Sequence, residues 1–278
     1  MDKLIEMKNI TKNFGKEVIL QNLNMTINKG DSIAIVGHNG CGKSTLLKII
    51  SGLVSIKEGE IKYHKDLKFN YVPERFPKLL ITPNQYILRT GLIEGLTKDE
   101  IKSRGYELFK NFFMENMIDI PIKYLSKGSI QKVSVVQALL TKPDILLLDE
   151  PLSGQDVDSQ RVFIKLVNKL IGEGVTVVMS CHDNILIDSL ANLVYKIKDR
   201  NIEKVKNIKR ENKSYDILVF RKNMKLEEKY KNIKEKIEKI EIDEKKIKMV
   251  VSCDNSNLVV KEMLDYGYEI RRMYNENF

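Results

Sequence analysis

The first thirty residues alternate apolar and polar side chains, as in LIEMKNI (4–10) and NLNMTI (22–27). With Gly15 at a turn, this period of two predicts antiparallel strands. SIAIV (32–36) is a short apolar run that leads directly into glycines and then into the amphipathic run STLLKIISGL (44–53), a pattern of strand, loop and helix. DILLLDE (144–150) and VTVVMSCH (175–182) are almost continuously apolar, as expected of strands buried on both faces of a helix-covered parallel sheet.

Between these strands the pattern turns helical. Thr82-Pro83-Asn84-Gln85 and Thr97-Lys98-Asp99-Glu100 have capping-box spacing, in which a hydroxyl and an amide or acid three residues later satisfy free backbone donors at a helix start. The second helix is expected to bury Ile101, Leu108, Phe109, Phe112 and Phe113, and Pro121 closes the segment. VYKIKDRNIEKV (194–205) reads as strand, turn and strand, and the polar KNIKRENK (206–213) as a linker.

A different rhythm follows. DILVF (216–220) reads as a strand, and Leu226, Tyr230, Ile233, Ile237 and Ile240 recur as on one face of a helix. IKMVVS (247–252) predicts a strand, Leu258 to Tyr266 a helix ended by Gly267, and YEIRRM (268–273) a last strand. The expected organisation is an α/β domain over 1–205 with a helical insert at about 79–140, a linker at 206–212, and a small α+β domain of unknown role over 213–278.

At 278 residues with 42% apolar side chains the chain can bury a large core, which excludes a disordered protein. No run reaches the length of an uncharged membrane span, and MDKLIEMKNI has charges where a signal peptide needs an apolar stretch, so a cytoplasmic location is expected. Cys41, Cys181 and Cys253 have no paired spacing for a disulfide framework or a zinc site. The net charge of +9 is spread along the chain rather than clustered, so no nucleic-acid partner is expected.

GHNGCGKST supplies the candidate chemistry. Gly37, His38, Asn39, Gly40, Cys41, Gly42, Lys43, Ser44 and Thr45 fit the phosphate-loop pattern, placed after a strand and opening a helix. The glycines let backbone amides approach phosphates, and the helix N-terminus adds positive potential. Lys43 would bridge the β- and γ-phosphates of ATP, and the Ser44 hydroxyl would ligate Mg²⁺. ILLLDE delivers Asp149 and Glu150 at the carboxyl end of a buried strand. Asp149 suits Mg²⁺ coordination, and Glu150 is placed to polarise an attacking water.

The phosphate loop, YVPE (71–74), LSKGSIQK (125–132), LLLDEP (146–151), SGQD (153–156) and SCHD (180–183) occur in the order found in ATP-binding cassettes, and the chain resembles that family over about residues 1–205. The implied fold is an α/β P-loop NTPase of ABC type, with an antiparallel β subdomain, a parallel-sheet core and a helical insert, followed here by the small α+β domain. The resemblance implies that LSKGSIQK of one subunit caps ATP held by another, so two cassettes close around two nucleotides. Ser126 and Gly128 would then meet the γ-phosphate from a helix N-terminus whose apolar side is Ile130, Val133, Val136 and Leu140. It also implies that Phe14 stacks on adenine, that His182 touches the γ-phosphate and orients the water, that Asp156 reaches across the dimer, and that Glu74 meets Mg²⁺.

Glu74 stands where many cassettes have glutamine, Lys127 replaces the first signature glycine, Ser129 its usual glutamine, and Gln155 an apolar residue. These variants resemble the export branch that handles peptide antibiotics and related amphiphiles. The expected function is an ATPase subunit with catalytic residues Glu150, His182 and Lys43. It would drive a separate integral-membrane permease from the inner face of the cell membrane, with export as the expected direction. The alternative is a soluble cassette ATPase acting on ribosomes or nucleic acid.

Overall fold

A computed structural model describes residues 2–207, 214–221, 229–243 and 245–277. The chain divides into two compact units: residues 1–182 with 190–208, and residues 183–189 with 209–278.

In the first unit, β1 (Lys3–Phe14), β2 (Glu17–Asn28) and β4 (Glu58–Tyr63) form an antiparallel sheet in the order β2-β1-β4. Their inward positions, among them Ile5, Met7, Ile10, Leu23 and Ile27, are fully or almost fully buried, as the period of two requires. The second sheet has six strands in the order β5-β6-β7-β3-β8-β9. These are β3 (Ser32–Val36), β5 (Phe69–Val72), β6 (Ile145–Asp149), β7 (Thr176–Ser180), β8 (Leu193–Lys198) and β9 (Asn201–Asn207). The pairings are parallel except between β8 and β9. Every residue of β6 and β7 is buried, which accounts for their unbroken apolar sequence.

Helix α1 (Lys43–Ile50) follows β3 and packs Leu46, Leu47, Ile49 and Ile50 into the core, each with no exposure. Burying one such side chain contributes about 1.5–3 kcal/mol, so four of them hold the helix start firmly against the sheet. α2 (Pro83–Ile93) and α3 (Lys98–Asn111) both open on complete capping boxes, at Thr82/Gln85 and Thr97/Glu100. α4 (Lys127–Leu139) is capped by Ser126, and α5 (Val157–Gly172) by Asp156.

Phe113 departs from the expected buried face: it is 58% exposed. α3 stops first, and Phe113 turns left-handed (φ 58°) while its N–H bonds the Lys110 carbonyl and that of Met114 bonds Phe109. This is a Schellman ending with phenylalanine where glycine is usual, so Met114 rather than Phe113 enters the core. β9 runs to Asn207, so residues 206–207 are strand rather than linker, and 208–212 lie outside the described residues.

The second unit contains β10 (Ser214–Arg221), β11 (Lys239–Ile242), β12 (Lys246–Ser252), α7 (Cys253–Asp265) and β13 (Ile270–Asn277). The sheet order β11-β12-β10-β13, antiparallel throughout, is that of a split βαβ arrangement. Leu218, Phe220, Met249 and Val251 pack with Val259 and Met263 of α7. The helix expected from Leu226 to Ile240 is corrected: Leu226 lies outside the described residues, Lys229–Lys236 is a 3₁₀ helix, and Ile240 lies in β11. Ile233, Ile237 and Ile240 still reach the core, and this shared destination produced the helix-like spacing. The last strand begins at Ile270, so Tyr268 and Glu269 precede it. The second unit also takes in residues 183–189, most of α6 (Asn184–Leu190).

Candidate nucleotide site

The sheet order puts β3 and β6 on either side of β7, so the loops leaving their carboxyl ends meet at one edge, the usual ligand position of an open α/β sheet. A cavity of about 550 Å³ lies there, lined by Asn39, Gly40, Gly42, Lys43, Ser44, Thr45, Glu74, Glu150 and His182, with Ile19, Arg75 and Ser153. That volume suits a nucleotide-sized ligand.

Gly42 explains the tightness of the loop. Its φ is 107°, and an added Cβ would sit 3.0 Å from Ile19 and 3.1 Å from Leu20, so a side chain there would strain the backbone and press on the core. The loop thus turns directly into α1, whose N-terminal end borders the cavity through Lys43, Ser44 and Thr45. Lys43 is 7% exposed. Its ammonium donates to the Gly37 carbonyl at 2.9 Å and lies 2.8 Å from His182 Nε2.

Asp149, 2% exposed, gathers three hydroxyls. Ser44 Oγ donates to Oδ1 at 2.9 Å, Ser180 Oγ to Oδ1 at 2.6 Å, and Tyr71 Oη to Oδ2 at 3.0 Å. Burial, then the neighbouring Asp149 charge, push the Tyr71 phenol well above its ordinary pKa, so it remains a donor. Tyr71 and Ser180 were not among the residues expected from sequence. Both stand in expected motifs, Tyr71 three residues before Glu74 and Ser180 two before His182, yet neither pattern says what its hydroxyl meets.

Glu150 follows β6 with left-handed backbone (φ 47°), a conformation that costs a non-glycine residue about 1–2 kcal/mol. Its N–H donates to the Ser180 carbonyl at 3.1 Å, which fixes this turn. The Glu150 carboxylate lies 3.4 Å from His182 Nε2, and Asn39 Oδ1 borders the same nitrogen at 3.1 Å. Burial and the Lys43 charge lower the His182 pKa, so the ring is neutral at physiological pH. A neutral ring protonated on Nδ1 accepts from Lys43 through Nε2, which places Lys43, His182 and Glu150 in one chain of contacts.

Glu74 lines the cavity from the loop after β5, about half exposed, with Arg75 Nε 3.8 Å away. Gln131 ties that loop to α4 by donating to the Pro73 carbonyl at 2.9 Å. Gly37, His38 and Cys41 shape the phosphate loop without lining the cavity. Phe14, Ser126, Gly128 and Asp156 are not brought to the cavity of their own chain. Phe14 is 52% exposed, with the Lys12 ammonium 4.8 Å from its ring centre. Gly128 sits so close to the next loop that a Cβ would come within 2.5 Å of the Gly154 carbonyl. Beside it, Lys132 pairs with Asp156 at 3.0 Å.

The donor set fits a Mg²⁺-nucleotide. A buried carboxylate and a helix-start hydroxyl are hard oxygen ligands, and a lysine and loop amides suit phosphate oxygens.

Comparison with known proteins agrees with this chemistry. The family model described as ABC transporter matches residues 20–153. The zinc import ATP-binding protein ZnuC of Mannheimia succiniciproducens is 38% identical over 169 residues, which cover 60% of this chain and 61% of that protein. ZnuC of Rickettsia conorii is 33% identical over 65% of this chain and 76% of its own length. A dimeric ATP-binding cassette in a post-hydrolysis state, bound to ADP and Pi, is 27% identical with a TM-score of 0.66, over 74% of this chain and 100% of that one. An ATP-binding subunit of an ABC transporter, 24% identical over 73% of this chain and 89% of that one, shares the fold with a TM-score of 0.67. With phosphate loop, buried carboxylate and cassette fold in one molecule, the chain belongs to the family of ABC transporter ATP-binding proteins.

Proposed function

We propose that this chain is the ATP-hydrolysing subunit of a membrane transporter, and that two copies close around two nucleotides to drive a separate permease. The observation that carries the reading is the meeting of Lys43, Ser44, Glu150 and His182 at one cavity, with Asp149 buried behind Ser44. The chain is an ATPase, and its cofactors are ATP and Mg²⁺. Ser44 and Asp149 would hold the metal, with Glu74 at the edge. When bound, Mg²⁺ neutralises charge on the phosphate oxygens.

Hydrolysis forms a bond from water oxygen to the γ-phosphorus and breaks the bond to the β–γ bridging oxygen. Glu150 takes the proton of the attacking water. His182, neutral and held by Lys43, contacts the γ-phosphate and fixes the water's approach. Lys43 offsets charge on the leaving β-phosphate and on the transferred group. Ser126 and Gly128 of a second copy close the cavity from the far side, and Asp156 reports its state across the pair.

Among the described residues no helix is long and apolar enough to cross a membrane, so the membrane path is assigned to a separate subunit. The relatives' names do not support the expected export direction. Both ZnuC proteins are called zinc import proteins, and this favours inward transport over the export suggested by Lys127 and Ser129. Isolation of the tagged chain from native membranes with ATP bound tests the assignment: an integral membrane protein should accompany it. Ribosomal proteins in its place would favour the soluble alternative.

A further inference from the structure

We propose that Arg75 is a phosphate-binding residue of the nucleotide cavity, placed to hold the γ-phosphate of ATP and so to set ATP apart from ADP. The inference rests on the reading of that cavity as an ATP site and adds a second cation to it. Arg75 lines the cavity together with Lys43, Ser44, Glu74, Glu150 and His182.

The segment that carries Arg75 is pinned on both sides of it. Tyr71 Oη donates to Asp149 Oδ2 at 3.0 Å, and the Pro73 carbonyl accepts from the buried Gln131 of α4 at 2.9 Å. Beyond Arg75, the Phe76 ring meets Tyr86 of α2 edge-on, with ring centres 5.1 Å apart. These ties fix the backbone of Arg75, while its side chain is 89% exposed. Its Nε lies 3.8 Å from the Glu74 carboxylate, beyond hydrogen-bond range, so this contact leaves the guanidinium donors available to a ligand. A guanidinium matches phosphate oxygens with two parallel hydrogen bonds, and a pinned loop lowers the ordering cost of making them.

Charge and topology select the terminal phosphate. Among the described residues, the charged side chains that line the cavity are Lys43 and Arg75 against Glu74 and Glu150, with His182 neutral. Without Arg75 the two carboxylates would outweigh the single ammonium and repel a polyphosphate. Lys43 is held on the phosphate-loop side, donating to the Gly37 carbonyl at 2.9 Å. In the sheet order β5-β6-β7-β3 that loop leaves β3, whereas Arg75 follows β5, the neighbour of the strand that ends at Glu150. The two cations therefore reach the cavity from opposite ends. The loop takes the inner phosphates, and the γ-phosphate, which meets Glu150 and its water, falls to Arg75. ADP lacks that group, so the contact distinguishes the triphosphate from the diphosphate.

Calorimetric titration of the full-length protein with Mg-ADP and with the Mg²⁺ complex of an ATP analogue that has an uncleavable imido β–γ bridge tests this. Arg75→Ala should weaken binding of the triphosphate analogue about tenfold or more and leave Mg-ADP within about twofold. Arg75→Lys, which keeps the charge and loses the fork, should fall between Arg75→Ala and wild type. Equal weakening for both nucleotides, no weakening for the analogue, or an Arg75→Lys protein no better than Arg75→Ala would overturn the γ-phosphate contact alone. Lys43→Ala separates that failure from a failure of the site: it should weaken binding of both nucleotides, and a Lys43→Ala protein that binds both like wild type would overturn the reading of the cavity as a nucleotide site.

Discussion

Ser44 Oγ donates to Asp149 Oδ1 at 2.9 Å, so a hydroxyl at the start of α1 and a carboxylate at the end of β6, 105 residues apart in sequence, meet at one point. If this pair holds Mg²⁺, Asp149→Asn should weaken binding of Mg-ATP about tenfold or more while ATP in the presence of a chelator binds nearly as before. Fluorescent-nucleotide titration with and without Mg²⁺ measures it. Equal weakening in both conditions would place the defect in the fold rather than at the metal.

Tyr71 supplies a second prediction. Tyr71→Phe keeps the ring and deletes one of the three hydroxyls donated to the buried Asp149 carboxylate. A hydrogen bond to a charged group contributes about 1.5–3 kcal/mol, and urea unfolding of the variant should show a loss of that size. Rebinding of the freed oxygen by Mg²⁺ should make the loss smaller when Mg-ATP is present.

The Asp156–Lys132 pair predicts an acid effect. Burial raises the Asp156 pKa, but the Ser159 N–H, Lys132 and the Ser159 hydroxyl outweigh it and hold the group at about 2, below its ordinary 3.8. A lowered carboxylate pKa contributes stability that is fully present above about pH 4 and is lost as the pH falls toward 2. With about half of the side chain in solvent, the contribution is discounted to roughly 1 kcal/mol. Asp156→Asn keeps an N-cap for α5, so it should be about that much less stable than wild type at pH 7 and nearly equal near pH 2. A gap that persists at low pH would assign the loss to packing.

Sequence revealed what short-range rules control. Thr82 and Thr97 cap their helices because a hydroxyl and its partner three residues later need nothing from the rest of the fold. Gly37 to Thr45 announced a phosphate loop because glycine, lysine and hydroxyl spacing is itself the structure. Phe113 was misplaced because helix periodicity continues past a helix end that only its left-handed turn reveals. Ile233, Ile237 and Ile240 mimicked one helix because a 3₁₀ turn and a strand can bury the same spacing. Tyr71 and Ser180 were silent because their partner, Asp149, comes from another strand, and no local pattern encodes a meeting across a sheet.

The central claim is that Glu150 activates the water in a site completed by a second copy. Glu150→Gln keeps the shape and removes the base, which commonly costs about 3 kcal/mol in the transition state, on the order of a hundredfold in rate, while ATP still binds. Uncleaved γ-phosphate would go on holding Ser126 and Gly128 of the partner copy. Size-exclusion chromatography with Mg-ATP, run alongside hydrolysis and nucleotide-occupancy assays, should find Glu150→Gln as an ATP-loaded dimer and wild type mostly as a monomer at the same concentration. A Glu150→Gln protein that hydrolyses ATP at the wild-type rate, or that elutes as a monomer with ATP bound, would contradict the account.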